Sequence, residues 1–141
     1  MTTPLERKPI RTERDLFERW EELMGGGGFG RRSLWLIFLD DGGQQSDLIV
    51  PIDDIPMLPD TREVAAIADL VARIREEIGV VEVPMLISRP GSSEMTEGDR
   101  RWAMTLTEAL RDQHPRWPIH LATRDHVQAF TADDLLGSRA S

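Results

Sequence analysis

The sequence predicts one α+β domain, α/β-like in its layering, with a mixed central sheet, helices packed on it and an N-terminal helix in front. Three observations support this prediction. Apolar residues recur at helical spacing in three segments, apolar runs of strand length lie between them, and the order is helix, hairpin, helix, strand, helix and two closing strands. The chain has 141 residues and is 40% hydrophobic, which suits one domain with a sizeable core.

The first 32 residues are predicted to form a flexible arm, a helix and a linker. Residues 1–11 are interpreted as the arm and residues 12–24 as a helix that Thr12 can cap. The glycine-rich residues 25–32 end this helix and are typical of a flexible linker. A phosphate-binding glycine loop is the alternative, but such a loop follows a strand and precedes a helix, which is the reverse of the order here.

The main domain is predicted over residues 33–132. It opens with a strand over residues 34–39, because this continuous apolar run is typical of a strand buried on both faces. Aspartates and glycines then supply a turn, and residues 48–50 return as an antiparallel strand. Pro51 ends that strand or places it at a sheet edge, since proline has no N–H to donate.

Two further helices follow, each with a capping signal. The first is predicted to begin at Asp60 and to end at Gly79, with apolar residues at helical spacing on its inner face. A strand over residues 80–87 comes next. Thr96 and Asp99 then have capping-box spacing at the start of the last long helix, whose apolar stripe includes Trp102 and Leu106. Strands over residues 119–122 and 127–130 complete the domain, and residues 133–141 form a polar tail.

Charge and composition exclude several classes of function. The chain has 25 acidic and 17 basic residues, and its net charge of -8 disfavours nucleic acid as a partner. It has no cysteine, which excludes disulfides, thiolate metal sites and cysteine nucleophiles. No apolar run approaches the length of a membrane helix and no apolar leader is visible, so we predict a cytoplasmic protein with no membrane role.

Metal ligands are considered at the acidic turns and the histidines. The aspartates at positions 40, 41, 53 and 54 lack calcium-loop spacing and are better interpreted as solvated turns. His114, His120 and His126 form no paired metal-binding spacing. His114 precedes a proline at a helix end, where a structural role is favoured. For His120, which lies in a predicted strand, a hydrogen-bonded core histidine is the simpler interpretation.

The candidate site is the loop between the 80–87 strand and the following helix. Its hydroxyls, its arginine and the free amides at the helix start could converge on an anion. The alternative is a structural loop whose serines cap backbone groups. We assign no catalytic, cofactor-binding or metal-binding residue, and the predicted ligand- or anion-binding candidates are Ser88, Arg89, Ser92, Ser93, Asp99 and His120.

Residues 87–99 read I-S-R-P-G-S-S-E-M-T-E-G-D. This segment, within residues 86–130, resembles the JAB/MPN metallopeptidase fold, in particular its RadC-like bacterial branch, where a strand, a His-x-His-Pro-Ser-Gly loop, a Ser-x-x-Asp helix start and a closing hairpin follow in order. The correspondence begins with Ile87 and Arg89, which replace the two zinc-binding histidines. Pro90 matches the motif proline, Thr96 replaces the capping serine and Asp99 matches the third ligand.

The resemblance extends in both directions from this motif. His120 and the leucine after it resemble a His-Leu pair in the family's closing strands. The hairpin and helix that begin at Leu34 can be laid on the same fold, so the likeness covers roughly 100 residues, a typical domain size.

The resemblance implies a metal-free pseudoenzyme. Zinc hydrolysis requires about three protein ligands, and only Asp99 remains of them. Arg89 would place a positive charge where the cation sits and pair with Asp99. We therefore expect no cofactor and a non-catalytic interaction or scaffold domain with a protein partner or a homo-oligomer, whose first helix can dock on that partner. The alternative is a small anion- or nucleotide-binding protein or enzyme that uses the loop over residues 88–93.

Overall fold

A computed structural model of the chain describes residues 8–25, 29–113, 117–124 and 126–135. It confirms the predicted α+β class, with helices on a mixed five-stranded sheet. The elements in chain order are α1 (Glu13–Met24), β1 (Ser33–Leu39), β2 (Gln45–Asp53), α2 (Thr61–Ile78), β3 (Met85–Ser88), α3 (Glu97–Ala109), β4 (His120–Thr123) and β5 (His126–Ala129), and a 3-10 turn over Arg111–Gln113 follows α3.

The strands are ordered β2-β1-β3-β4-β5 across the sheet. Every neighbouring pair is antiparallel except β3 and β4, which are parallel. A parallel pair needs a crossover connection, and α3 lies in it. The antiparallel pairing of β1 with β3 places Ser33 opposite Ser88. The amino end of β1 therefore lies beside the carboxyl end of β3, where the chain turns toward α3.

Both faces of the sheet are covered, which explains the continuous apolar run of β1. The helices α2 and α3 cover one face, and the buried residues there include Leu34, Leu36, Phe38, Val64, Ile67, Met85, Ile87, Trp102 and Leu106. The helix α1 covers the other face, and the buried residues there include Ile10, Leu16, Trp20, Ile37, Leu39, Leu86, Trp117 and Ala122.

The helix α1 is held on its own domain. Leu16 and Trp20 are fully buried, so its apolar face is already occupied by the sheet. A capping box between Thr12 and Asp15 begins the helix, as the sequence predicts for its first residue. The apolar face that the expected docking role would use therefore packs within the chain.

The end of the predicted arm also contacts the domain. Ile10 is buried, and its amide donates to the carbonyl oxygen of Gly43 at 2.8 Å. Gly43 has φ +82°, and a side chain there would collide with the backbone of Ile10. Residues 1–7, the linker glycines 26–28 and residues 136–141 of the predicted tail lie outside the described residues.

Two strands differ from the prediction by more than one residue at an end. The strand predicted over residues 80–87 is shorter, because Pro84 cannot donate to a ladder and Glu82 forms only an isolated bridge with Leu39. The predicted return strand over residues 48–50 extends to both sides as β2.

Pro51 lies on an edge strand, as one of its two predicted interpretations requires. The amide of Ile37 donates toward β3, at the carbonyl oxygen of Pro84, so alternate residues of β1 face β2. Pro51 lies opposite Trp35, at a position where the backbone nitrogen points toward the free edge of the sheet. The N–H that proline lacks is therefore not needed for pairing with β1. A register shift between Ile37 and Leu39 interrupts the same strand pair. Both features protect an edge from pairing with another chain.

The last described residues form a helical turn over 132–135. Leu135, within the predicted polar tail, packs against the core on the α3 face. No helix in the described parts of the chain combines the length and the apolar character needed to cross a bilayer.

Candidate functional site

Three elements meet at one end of the sheet. They are the amino end of β1, the carboxyl end of β3 and the first turn of α3. Arg32 precedes β1, Arg89 follows β3, and Asp99 lies in the first turn of α3, where it is fully buried. The β1–β3 register therefore brings two arginines to one carboxylate.

Arg89 and Asp99 form a bidentate ion pair, as the resemblance implied. The Nε of Arg89 donates to Oδ1 of Asp99 at 2.8 Å, and Nη2 donates to Oδ2 at 2.7 Å. Both side chains are buried, at 6% and 0% exposure. Two parallel charge-assisted hydrogen bonds make this a geometrically specific contact.

The remaining N–H groups of Arg89 hold the loop after β3. Its Nη1 donates to the carbonyl oxygens of Pro90 and Ser92, each at 3.0 Å, and its Nη2 donates to that of Glu94 at 2.9 Å. A guanidinium has five N–H groups, and all five of these are thus directed at protein acceptors. The loop is wrapped around the arginine, which explains its path without a ligand.

Asp99 also caps α3. Its Oδ2 accepts from the amide of Thr96 at 2.9 Å, and Thr96 Oγ1 accepts from the amide of Asp99 at 3.2 Å. This is the predicted capping box. Burial alone raises the pKa of Asp99, but the hydrogen bonds from Arg89 and Thr96 and the two nearby arginine charges hold its pKa below the ordinary value. Asp99 is therefore an ionised carboxylate at neutral pH.

Arg32 makes a longer contact with the same carboxylate. Its Nη1 lies 3.3 Å from Oδ1 of Asp99, and its side chain is 15% exposed. Burial lowers the pKa of Arg32, Asp99 raises it and the positive charge of Arg89 lowers it further, with a net lowering. Arginine stays protonated in proteins, so the cluster carries two positive charges and one negative charge.

Ser88 and His120 lie on the opposite face of the sheet from this cluster. Ser88 is buried, and its Oγ accepts from Nε1 of Trp35 at 2.9 Å. The ring of His120 contacts Phe17 of α1, with 6.5 Å between the ring centroids. Because successive side chains of a strand alternate between faces, Ser88 and Arg89 point to opposite sides. The sheet thus separates Ser88 and His120 from Asp99.

His120 is a hydrogen-bonded core histidine, which confirms the simpler of its two interpretations. It is 1% exposed, and its Nδ1 donates to the carbonyl oxygen of Pro118 at 3.2 Å. Burial lowers the pKa of His120 to about 4, and the hydrogen bond to Pro118 acts in the opposite direction. The imidazole is therefore neutral at pH 7.

Ser92 and Ser93 lie in the exposed part of the loop. The carbonyl oxygen of Ser92 accepts from Arg89, and that of Ser93 accepts from Nε2 of Gln128 at 2.6 Å. The contacts that fix these two residues are made by backbone atoms. Of the six candidate residues, the structure brings together Arg89, Asp99 and the backbone of Ser92, and it does not bring Ser88 or His120 to them.

The acidic turns and the other histidines form no metal centre in the described parts of the chain. Within those parts, no group of three histidine, cysteine, aspartate or glutamate side chains lies close enough to hold a metal ion. Oδ1 of Asp40 accepts from the amides of Gly42 and Gln44, each at 2.9 Å, which is turn chemistry. His126 is exposed on β5, and His114 lies outside the described residues.

Arg32 is a site residue that was not predicted from the sequence. It lies 67 positions from Asp99, and only the pairing of β1 with β3 brings the two together. The one available signal was a pair of arginines directly before a buried strand.

No protein-family model matches the chain, and a search of curated proteins found no match. The resemblance to the JAB/MPN fold therefore remains a prediction from its motifs.

Proposed function

We propose that the chain is a non-catalytic RadC/JAB-like domain that serves as a protein-interaction or scaffold module in the cytoplasm. The observation that carries this proposal is the buried pair between Arg89 and Asp99. Arg89 and Asp99 lie at two positions that each correspond to a metal ligand in the family that the chain resembles.

The chemistry of these positions favours a closed site. A catalytic zinc needs about three protein ligands and an open position for water. Here Asp99 is fully buried and already accepts hydrogen bonds from Arg89, Thr96 and Arg32. Ile87, at the other histidine position, is fully buried in the apolar core and has no donor atom for a metal. A hydrolytic centre at this place would require both positions to change.

An exposed apolar groove supports the interaction role. It lies between α2 and α3 with a volume of about 500 Å³, and Val64, Ala65 and Met104 are among the residues that line it. Met57 and Leu58, shortly before α2, are 69% and 51% exposed. Exposed apolar side chains and apolar grooves are features that contacts with a partner use.

The loop alternative, an anion- or nucleotide-binding protein or enzyme, has less support. It needs Arg89 and the serines of the loop to face a ligand. All N–H groups of Arg89 are directed at protein acceptors, and Ser88 is buried under Trp35. These contacts favour a structural loop over a ligand site.

Grafting the missing ligands tests the resemblance on which the proposal rests. The double variant Ile87→His with Arg89→His restores the two histidine positions on the α3 face of β3, beside Asp99. If the fold is JAB-like, the folded double variant should bind one zinc ion, and the wild type should bind none. Isothermal titration with zinc measures both.

The single variants Ile87→His and Arg89→His are the matched controls, since each lacks one ligand. A folded double variant that binds zinc no better than either single variant would contradict the JAB-like alignment. Circular dichroism of each variant shows whether it is folded.

The oligomeric state tests the interaction role of the groove. Light scattering on the purified protein gives its mass, and Ala65→Glu places a charge in the lining of the groove. If the chain is a homo-oligomer through this groove, the variant should be monomeric. An oligomer that Ala65→Glu leaves intact would place the interface elsewhere.

A further inference from the structure

The cluster at the end of the sheet has more positive than negative charge. Arg89 satisfies Asp99 with contacts of 2.7, 2.8 and 3.1 Å, and Arg32 reaches the same carboxylate only at 3.3 Å. One carboxylate therefore serves two guanidinium groups. A partly buried charge without its own counter-ion is costly, because water no longer solvates it fully.

The neighbouring carboxylates have other partners. Oδ1 of Asp53 accepts from Ser33 Oγ at 2.8 Å, and Asp54 pairs with Arg31 at 3.3 Å on the exposed surface. Arg32 thus has no second carboxylate partner within the described parts of the chain.

Arg32 offers an uncommitted edge to an incoming group. Only its Nη1 makes a hydrogen bond among the described residues, and the side chain is 15% exposed. Nε and Nη2 lie on one edge of the planar guanidinium, where two parallel N–H groups match two oxygens of a carboxylate or a phosphate. This edge makes no hydrogen bond among the described residues, and its shape suits bidentate binding.

We infer that Arg32 forms a binding site for an oxyanion, a carboxylate or a phosphate group, at the end of the sheet where β1 begins. The anion accepts from the Nε and Nη2 edge of Arg32, while Asp99, itself held by Arg89, accepts from Nη1 of Arg32. Arg89 acts as a positioning residue, because its own N–H groups are directed at the protein. This site does not depend on the proposed scaffold role.

An NMR titration of the full chain tests the inference. The probes are sodium acetate and inorganic phosphate, each compared with chloride at equal ionic strength, and the signals followed are the Arg32 Nε–H and the backbone amides. We expect saturable shifts at Arg32 Nε–H and at the amides beside it. The anion with the lower dissociation constant shows whether the site prefers a carboxylate or a phosphate.

Two neighbouring variants separate a specific site from general attraction. Arg32→Gln should weaken binding at least 10-fold, which is the loss expected for one charge-assisted bidentate contact of more than about 1.4 kcal/mol. Arg31→Gln, which changes an exposed arginine one position away, should change it less than about threefold. Arg32→Lys keeps the charge without the fork and should also bind more weakly than the wild type.

Three results would overturn the site. They are no saturable shift at Arg32 Nε–H in the wild type, equal weakening in the Arg31 and Arg32 variants, or full binding in Arg32→Lys. Because the first is read on the unmodified chain, it decides the question even if a variant does not fold.

Discussion

At the scale of single residues, the contact between Arg89 and Asp99 matters mostly for what happens when one partner is removed. Burying two charges costs about as much as their attraction returns, so an intact buried pair is a weak source of stability. Removal of one partner leaves the other charge buried and uncompensated. Asp99 is fully buried and also caps α3. Removal of Arg89 therefore affects both the charged cluster and the start of this helix.

The variant Arg89→Ala should therefore lower the free energy of unfolding by about 3 to 5 kcal/mol. Arg32 reaches Asp99 at 3.3 Å and replaces only part of the lost contact. Urea unfolding followed by tryptophan fluorescence measures the change. Arg101→Ala removes an exposed arginine from a 3.5 Å pair on α3 and should change stability little. Equal effects of the two substitutions would show that the buried pair contributes no more to the free energy of unfolding than the exposed pair does.

His120 should make the domain less stable in mild acid. The pKa of its imidazole is lowered to about 4 in the folded chain, against an ordinary value near 6.5. Between these pH values the unfolded state binds more protons, so its population grows as the pH falls. The stability is fully present above pH 6.5 and is lost progressively toward pH 4, by about 3 kcal/mol in total.

Unfolding free energies measured between pH 7.5 and 4 test this prediction. His120→Gln should flatten the profile over that window, because it removes the group that titrates. His126→Gln, at an exposed position on β5, should keep the profile of the wild type. If His120→Gln keeps the full slope, another group causes it.

At the scale of elements, the start of α3 is fixed by contacts with the loop before α2. Nε1 of Trp102 donates to the carbonyl oxygen of Pro56 at 2.8 Å. A Cβ on Gly98 would lie 2.7 Å from the carbonyl oxygen of Met57. The loop crosses the first turn of α3 at a distance that only glycine allows, and this holds Asp99 in place for Arg89.

Gly98→Ala should accordingly destabilise the chain, although alanine is the better helix former. The higher helix preference of alanine would raise the free energy of unfolding by about 1 kcal/mol, whereas forcing the Met57 backbone away would lower it by about 1 to 3 kcal/mol. We expect the free energy of unfolding to fall by about 1 kcal/mol in total. Thermal unfolding measures it. Gly30→Ala is the matched control, since nothing lies within 4 Å of a Cβ there. A gain in stability for Gly98→Ala would contradict this expectation, because it would mean that the loop before α2 moves away at little cost in free energy.

At the scale of the whole molecule, three layers depend on one another. The sheet is buried by α2 and α3 on one side and by α1 on the other, and residues such as Ile37 and Leu86 are fully buried under α1. Without α1 this second face would be a large exposed apolar surface.

A shortened chain that begins at Arg31 should therefore fail to form a stable monomer. We expect it to bind the dye ANS and to aggregate, because the apolar residues that Leu16 and Trp20 cover become exposed. Dye fluorescence and gel filtration measure both properties. A well-folded monomer without α1 would revive the expectation that this helix is free to dock on a partner.

Local signals in the sequence predicted the helices well. Capping residues and apolar spacing mark a helix within its own segment, as Thr12 does for α1 and Thr96 with Asp99 does for α3. The pair between Arg89 and Asp99 was also within reach, because its residues are 10 positions apart in one loop and helix.

What depends on strand pairing could not be predicted in this way. The contact of Arg32 with Asp99 requires the β1–β3 register, and the placement of His120 under α1 requires the order of strands in the sheet. Ser88 is an intermediate case. Successive side chains of a strand point to opposite faces, which places Ser88 on the face opposite Arg89. The sequence alone could therefore have shown that Ser88 and Arg89 do not belong to one site.

Arg89 and Asp99 form a buried pair at the end of the sheet, and we propose that these two positions bind no metal ion. The most direct test is elemental analysis of the untagged purified protein, with a melting curve of the same sample before and after zinc is added. We predict no stoichiometric metal and no zinc-induced rise in melting temperature. One zinc ion per chain, with a clear rise on addition of zinc, would contradict the claim, because a native-state ligand stabilises by mass action.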